Sequence, residues 1–206
     1  MSALEQIGAG IRLCTRNGRY FALDQGRWYR SASPAEAELV AHLHPPVLDV
    51  GCGPGRLVQH LIERGVPAVG IDQAPSAVAE ARRRGVPALQ RSVWDGLPGA
   101  GRYRSVLLFD GNVGIGGDPA ALLGRCHALT GRRGDVLVEL DRPGSISESF
   151  DVRVELAAET SGWFPWAVVA ADDVEVVAKE AGLVPRWVRS VGDRHETRWF
   201  ALLATH

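Results

Sequence analysis

The chain has 206 residues, 46% of them apolar, and its formal net charge is −1. This length suits one large domain, and the composition excludes a disordered chain. The near-neutral charge gives no general electrostatic reason to bind nucleic acid or an anionic membrane, and no stretch approaches the roughly 18 apolar residues of a membrane span.

Cysteine usage and the N-terminal sequence favour a cytoplasmic protein. Cys14, Cys52 and Cys126 are widely spaced and form no metal-ligand pattern, which favours reduced thiols. The first 16 residues have no continuous apolar segment long enough for a signal peptide. Lys179 is the only lysine and arginine supplies the other positive charges, which suggests a GC-rich bacterial genome.

From residue 47 onward the chain alternates strand-like and helix-like blocks. Apolar runs predict strands at 47–50, 66–72, 86–93, 104–109 and 134–140, and helical spacing predicts helices at 57–64, 75–84 and 119–129. This alternation predicts a parallel sheet covered by helices on both faces. The last third predicts extended segments at 150–169, a helix at 170–182, and two strands around GDRHE (192–196) that form an antiparallel hairpin at the sheet edge.

The sequence VLDVGCGPGRL (47–57) places three glycines, Gly51, Gly53 and Gly55, directly after the first predicted strand of the sheet. Ligands bind outside the carboxyl ends of parallel strands, and glycine lets the backbone approach them closely. The next predicted strand ends at Asp72, whose carboxylate suits two ribose hydroxyls.

Two ligand classes share this layout, the nicotinamide or flavin dinucleotides and S-adenosylmethionine. Dinucleotide sites usually have the spacing G-x-G-x-x-G, whereas this chain has G-x-G-x-G. Asp49 precedes the glycines, where a carboxylate would repel a pyrophosphate and would suit an ammonium or a sulfonium group. These features favour S-adenosylmethionine.

The segment from about residue 46 to 140 resembles class I S-adenosylmethionine-dependent methyltransferases, on the motif VLDVGCGPGRL followed by GID (70–72). The resemblance implies an α/β, Rossmann-like fold with a seven-stranded sheet of order 3-2-1-4-5-7-6, strand 7 antiparallel, flanked by helices. It also implies S-adenosyl-L-methionine as cofactor and S-adenosyl-L-homocysteine as product. We expect one methyltransferase domain over 1–206, with an N-terminal cap segment at 1–46 and an insertion at 142–169 that contributes to the acceptor pocket.

The resemblance also implies which residues contact the cofactor. The glycines pack under it, Asp49 lies beneath the methionine moiety, Asp72 takes the ribose, and Gln73 lies beside the adenine. Val93 and Trp94, after the third predicted strand, form the adenine wall, although Ser92 and Asp95 are alternatives there. Asp110, after the fourth, lies near the methionine end. The cofactor contacts predicted are Asp49, Gly51, Gly53, Gly55, Asp72, Gln73, Val93, Trp94 and Asp110.

Catalysis and acceptor binding are assigned by position. His195, in the hairpin loop that the topology brings to the catalytic edge, is the candidate general base. The glycines of the loop at 111–117 are expected to border the methyl donor. The acceptor contacts predicted, from the segments outside the common core and from the fourth strand's end, are Tyr20, Trp28, Asn112, Trp163 and Trp166.

Metal-assisted catalysis by Asp110, Asn112 and Asp141 is an alternative, but the sequence DRPG (141–144) departs from the paired Asp-Asn ligands of metal-dependent members, so no metal is predicted.

The predicted function is methylation of a small, partly apolar molecule, in bacterial specialised metabolism, with no nucleic-acid or membrane partner. A non-catalytic S-adenosylmethionine-binding protein and other S-adenosylmethionine chemistry on the same fold stay open, and an NAD-dependent oxidoreductase is disfavoured. The sequence does not identify the acceptor, the attacked atom or the oligomeric state.

Overall fold

A computed structural model describes residues 12–22, 25–156, 159–192 and 197–205. In chain order its elements are β1 (Arg12–Thr15), β2 (Tyr20–Ala22), α1 (Gln25–Tyr29), α2 (Pro34–Ala41), β3 (Val47–Val50), α3 (Arg56–Ile62), β4 (Ala68–Asp72), α4 (Pro75–Arg83), β5 (Ala88–Gln90), β6 (Tyr103–Leu108), a 3₁₀ helix (Asn112–Gly114), α5 (Pro119–Leu129), β7 (Thr130–Leu140), β8 (Glu148–Leu156), β9 (Glu159–Thr160), β10 (Phe164–Val168), α6 (Val174–Glu180), β11 (Val184–Gly192) and β12 (Thr197–Ala204).

Seven strands form the central sheet, in the order β11-β12-β7-β6-β3-β4-β5. The neighbours from β7 to β5 pair in parallel, whereas β12 is antiparallel to both β7 and β11. Numbered by their occurrence in the chain, these seven strands have the order 3-2-1-4-5-7-6. The predicted α/β, Rossmann-like class and the hairpin at the sheet edge are confirmed.

Apolar side chains cover both faces of this sheet. On one face Leu48 and Val106 share a core with Leu122 of α5 and Val174 of α6. On the other face, Val47 and Leu107 pack with Leu39, Leu57 and further residues of α2 and α3. Burial on both faces explains why the parallel strands have continuous apolar sequences rather than alternating ones.

A second sheet joins two segments that are far apart in the sequence. Its order is β10-β8-β1-β2, with β9 paired to β8, and all pairs are antiparallel. The extended segments predicted within 150–169 are present as β8, β9 and β10. Their pairing with the N-terminal strand β1 was not predicted.

Two predicted elements differ most from the structure, and local hydrogen bonds explain where the first ends and where the second begins. The strand predicted at 86–93 ends at Gln90, because the backbone N–H of Ser92 donates to Asp95 Oδ2 (2.8 Å) in a turn. The helix predicted at 170–182 begins at Val174. Its predicted first residues pair with the end of β7, where the N–H of Ala171 donates to the carbonyl of Asp141 (2.9 Å).

The three cysteines are free thiols and all are buried. Among the residues described here, no helix has the length and apolar character needed to cross a membrane.

Candidate active site

The glycine-rich corner between β3 and α3 consists of left-handed backbone. Gly51, Gly53 and Gly55 have φ angles of +72°, +54° and +81°, which residues with a Cβ rarely adopt. The N–H of Gly51 donates to the carbonyl of Ile71 (2.9 Å), which ties the turn to the end of β4. A Cβ built on Gly53 would meet no described atom within 4 Å, so this glycine borders open space in which a ligand could approach the backbone.

Asn112 supports the same corner from the end of β6. Its Nδ2 donates to the carbonyl oxygens of Val50 (2.9 Å) and Gly51 (3.0 Å). A Cβ on Gly51 would collide with the Asn112 amide, so packing also requires a glycine there. The sequence analysis predicted Asn112 as an acceptor contact, and the structure places its amide nitrogen against the backbone of the corner.

Asp72 lies at the end of β4 and faces the glycine turn. Its Oδ2 accepts a hydrogen bond from the N–H of Gly53 (2.9 Å), and its Oδ1 accepts one from the N–H of Ala74 (2.8 Å). A carboxylate has about four acceptor positions, so both oxygens can accept further hydrogen bonds from a ligand. Gln73, beside it, is exposed. The structure therefore brings Asp72 and the glycines together, and the ribose contact stays a prediction.

Asp49 lies in β3 beneath this corner and is 3% exposed. Burial raises the pKa of Asp49 most, and the Arg56 guanidinium opposes that effect. Nearby carboxylates add to the effect of burial, so the pKa of Asp49 is about 7. This carboxyl group therefore changes its charge near neutral pH.

A buried ion-pair network lies at the same edge of the sheet; it consists of Glu36, Arg56, Asp110, Glu139 and Arg198. Arg56, the first residue of α3, donates from Nη2 to Asp110 Oδ2 (2.8 Å). Its Nη1 lies 2.6 Å from Glu36 Oε2, an ion pair whose angles fall outside those of a hydrogen bond. Arg56 thus links the helix that follows the glycine corner to α2 and to the end of β6.

Arg198, near the start of β12, completes the network. Its Nη1 donates to Glu36 Oε1, and its Nε and Nη2 donate to the two carboxylate oxygens of Glu139 (2.7 and 2.6 Å). Burial alone lowers the pKa of Arg198, but the Glu139, Glu36 and Asp110 carboxylates outweigh burial and raise it. Arg198 therefore keeps its charge, and the network fixes α2 onto the carboxyl edge of the sheet.

The backbone of Asp110 is the one non-glycine position with positive φ (+55°) in the described residues. Its N–H donates to Glu139 Oε2 (2.5 Å), and Arg27 Nη1 lies 3.8 Å from its Oδ1. Left-handed backbone at a residue with a Cβ is strained and persists only where the surroundings hold it. The sequence analysis predicted that Asp110 contacts the methionine end of the cofactor, and the structure shows its carboxylate in contact with arginines.

Four members of this network were missed by the sequence analysis, namely Glu36, Arg56, Glu139 and Arg198. One local signal was available, because Ser33 and Glu36 form a capping box at the start of α2. The Glu36 carboxylate accepts the Ser33 N–H (2.9 Å) in that box. The signal identifies a helix start, but it does not reveal that the same carboxylate binds two arginines from distant parts of the chain.

The two residues predicted to form the adenine wall, Val93 and Trp94, follow the end of β5. Val93 is buried and its carbonyl accepts a hydrogen bond from Arg125 Nε (2.8 Å), whereas the Trp94 side chain is 47% exposed. A Cβ on Gly116 would lie 3.5 Å from the Trp94 ring, so the indole lies beside the loop that follows β6. An exposed indole at this edge is available to a flat ligand.

Packing requires glycine at two positions of the loop that follows β6. A Cβ on Gly114 would collide with the carbonyl oxygen of Ala167 and would lie 2.6 Å from Trp166 Nε1. A Cβ on Gly117 would lie 2.8 Å from Pro165 Cβ. The sequence analysis interpreted these glycines as backbone close to the methyl donor, and the structure places β10 of the second sheet against them.

One face of the second sheet, here termed the inner face, contains Phe21, Phe150 and Trp166. The Phe21 and Phe150 rings stack with centroids 5.4 Å apart, and Phe150 is paired with Trp166 across β8 and β10. Side chains of directly paired residues share a face, so Trp166 follows this row and reaches the loop at Gly114. The inner face is therefore an aromatic surface that meets the carboxyl edge of the central sheet.

The opposite, outer face contains two other predicted acceptor residues. Tyr20 is paired with Cys14 and is 56% exposed, with the Arg12 guanidinium 5.9 Å from its ring centroid. Trp163 is contacted by the Arg153 guanidinium at 5.1 Å, and Arg153 is also paired with Cys14. The structure thus separates Tyr20 and Trp163 from Trp166.

The candidate base His195 lies outside the described residues, and Trp28 is half-buried in α1. The described part of the chain holds no group of three or more His, Cys, Asp or Glu side chains placed to bind a metal ion.

The sheet order and the carboxylate-flanked glycine corner define a Rossmann-like α/β protein whose ligand edge follows β3, β4 and β6. Residues 47–132 match the family model described as a methyltransferase domain. The chain as a whole has the fold of solved S-adenosylmethionine-dependent methyltransferases, in agreement with the resemblance identified in the sequence.

Solved structures with this fold come from several bacteria. A methyltransferase from Bacteroides fragilis, in complex with S-adenosyl-L-homocysteine, is 20% identical with a TM-score of 0.77, over 98% of this chain and 90% of that one. The 1,6-didemethyltoxoflavin-N1-methyltransferase of Burkholderia thailandensis is 22% identical with a TM-score of 0.62 (89% and 84% covered). A sugar N-methyltransferase from Streptoalloteichus is 18% identical with a TM-score of 0.63 (88% and 91% covered). A search of the curated proteins found no match.

Proposed function

We propose that this protein is an S-adenosyl-L-methionine-dependent methyltransferase that methylates a small, partly apolar molecule in bacterial specialised metabolism. The observation that carries the proposal is the corner at Gly53. Open space there adjoins left-handed backbone and the buried carboxylate of Asp49. It also adjoins the carboxylate of Asp72, which has acceptor positions for ribose hydroxyls. Its placement in the cytoplasm stays a prediction from composition.

The residues at this corner fit the chemistry of that cofactor. Asp72 has acceptor positions for two ribose hydroxyls, and Trp94 offers an indole face to an adenine. Asp49 provides negative charge where a dinucleotide pyrophosphate would be repelled and an ammonium or sulfonium group would be stabilised. We propose that Gly51, Gly55, Gln73 and Val93 contribute backbone or edge contacts, as the sequence motif implies.

Binding S-adenosyl-L-methionine supplies an activated methyl group on a sulfonium sulfur. The tasks left to this chain are to hold the acceptor in line with that group and to exclude water. We propose that the inner face of the second sheet does this, with Trp166 closest to the loop after β6. We propose that the segments 1–46 and 142–169, as far as the structure describes them, form a cap on a single methyltransferase domain.

Structural neighbours support a small-molecule acceptor. Two of them are named as an N-methyltransferase of 1,6-didemethyltoxoflavin and a sugar N-methyltransferase, and a third is an O-methyltransferase from neocarzinostatin biosynthesis. The half-buried aromatic residues of the inner face suit an acceptor with an apolar surface.

His195 stays our candidate for a general base, because β11 ends and β12 begins at the carboxyl edge of the sheet, where Trp199 pairs with Leu140 at the end of β7. If the acceptor is a hydroxyl, His195→Ala should keep S-adenosylmethionine binding and lower turnover by roughly 10²–10⁴-fold. Unchanged turnover would show that positioning alone suffices for this acceptor.

The proposal is tested by binding and by transfer. Calorimetric titration with S-adenosylmethionine and with NAD should give saturable binding of the first and none of the second. A panel of small acceptors is then incubated with the protein and the methyl-labelled cofactor, and each product is examined for a gain of one methyl group. Tighter binding of NAD would refute the cofactor assignment, whereas cofactor binding without transfer to any acceptor would favour a non-catalytic binding protein.

A further inference from the structure

One buried carboxylate at the active-site edge, that of Asp49, has neither an ion pair nor a hydrogen bond within the described residues. Glu36, Asp110 and Glu139 each form ion pairs with Arg56 or Arg198. Asp49, although it is buried among them, accepts no hydrogen bond and has no cationic nitrogen within 4 Å in the described part of the chain. Its negative charge is therefore the least compensated in this cluster.

The groups that surround Asp49 come from every element packed near it. Arg56 of α3 favours its ionised form, whereas Asp110 after β6, Asp72 at the end of β4 and Glu36 of α2 oppose it. Burial opposes the charge more than any of these. The balance leaves the pKa of Asp49 at about 7, so the ligand-free protein holds a proton there for much of the time below neutral pH.

The cofactor and its product differ in one charge. Both carry an amino-acid ammonium and carboxylate, but only the cofactor carries the sulfonium, because methyl transfer leaves an uncharged thioether. A cation that enters beside a buried carboxylate favours the ionised form of that carboxylate and is in turn stabilised by it. Asp49 therefore interacts more strongly with the cofactor than with the product.

Resting on the proposed function, we propose that Asp49 is the residue by which this site distinguishes the sulfonium cofactor from its thioether product. Asp49 gives up its proton to the solvent as the cofactor binds, and a proton returns to it once the methyl group has been transferred and the sulfonium charge is lost. Product release then follows from the loss of a charge at the site. No movement of the protein is required.

Proton linkage predicts how strongly the affinity for each ligand should depend on pH. With a pKa of about 7 for Asp49, the affinity for S-adenosylmethionine should be about fivefold weaker at pH 6 than at pH 7. The affinity for S-adenosylhomocysteine should change much less over this range. The ammonium groups of both ligands stay protonated at pH 6, because an α-amino group has an ordinary pKa of roughly 7.7–8.0.

The test is isothermal titration of the full-length protein with each ligand at pH 6, in two buffers with different ionisation enthalpies. Close to one proton should be released per S-adenosylmethionine bound, and clearly fewer per S-adenosylhomocysteine. Asp49→Asn should abolish the proton release and the pH dependence. Asp72→Asn, the matched control, should weaken both ligands and keep the proton release.

Each outcome decides between the proposals. Cofactor binding without proton release at pH 6, equal release with both ligands, or release that persists in Asp49→Asn overturns the role of Asp49 and leaves the proposed function standing. Absence of any S-adenosylmethionine binding refutes the proposed function itself. If Asp49→Asn does not fold, the comparison of the two ligands on the unaltered protein still decides.

Discussion

Replacing Glu36 with glutamine tests whether the buried ion-pair network stabilises the fold. The side chain is 2% exposed, and its two oxygens face Arg56 and Arg198. Burial by itself raises the pKa of Glu36, but the Arg56 charge, the Ser33 N–H and Arg198 outweigh it and lower the pKa from 4.5 to about 2. Glutamine keeps the size of the side chain and removes only its charge.

The lowered pKa of Glu36 gives the loss of unfolding free energy that we expect for Glu36→Gln. A shift of this size corresponds to about 3 kcal/mol of unfolding free energy at pH 7, at about 1.36 kcal/mol per unit of pKa. Removing one partner of a buried ion pair typically costs about 3–5 kcal/mol, which agrees. Because the pKa of Glu36 is lower in the folded state, this stabilisation is present above pH 4.5 and is lost as the pH falls towards 2.

The assay is urea unfolding followed by tryptophan fluorescence at pH 7, 5 and 3.5. The difference between the unaltered protein and Glu36→Gln should be about 3 kcal/mol at pH 7 and about 2 kcal/mol at pH 3.5. Glu80→Gln is the matched control, since Glu80 pairs with Arg83 on the surface, and it should not change the midpoint measurably. Equal stability of Glu36→Gln and the unaltered protein at pH 7 would refute the reasoning.

Three further predictions concern the ligands. Asp72→Ala should weaken S-adenosylmethionine binding about tenfold or more in a calorimetric titration, because hydrogen bonds to a charged acceptor contribute roughly 1.5–3 kcal/mol each; unchanged affinity would exclude the ribose contact. Gly53→Ala should reduce that affinity too, whereas Gly65→Ala, at another left-handed glycine beside open space, should lower only stability. Trp166→Ala should raise the acceptor KM and leave cofactor affinity intact, whereas Trp163→Ala, on the outer face, should leave the acceptor KM unchanged. A raised KM in Trp163→Ala alone would place the acceptor on the outer face.

The parts of the fold that the sequence predicted are those encoded by local pattern. Mostly apolar runs such as 47–50 and 104–109, which alternate with helical blocks, indicate parallel strands that are buried on both faces. The glycine corner was also predictable, since alternate glycines after a buried strand have few structural alternatives. Asp72 and Gly53 were predicted to contact the same cofactor, and the structure shows a hydrogen bond between them.

The parts that were not predictable depend on contacts between distant segments. Nothing in residues 12–15 indicates that their partner strand is 148–156, because antiparallel pairing needs only an extended backbone. The buried ion-pair network was not predictable for the same reason. In the sequence, Arg56 and Arg198 cannot be distinguished from arginines on the surface. Tyr20 and Trp163 were grouped with Trp166 by composition, and strand register alone assigns them to opposite faces.

The pairing of β1 with β8 has a consequence for synthesis on the ribosome. Residues 12–22 emerge early, and their neighbour in the second sheet is made only after β3 to β7 have been completed. Pairings between segments so far apart in sequence form slowly, because a long loop has to be closed first. A growing chain therefore presents β1 without its β8 partner while β3 to β7 are made, and the last two strands of the central sheet, β11 and β12, follow only after β8.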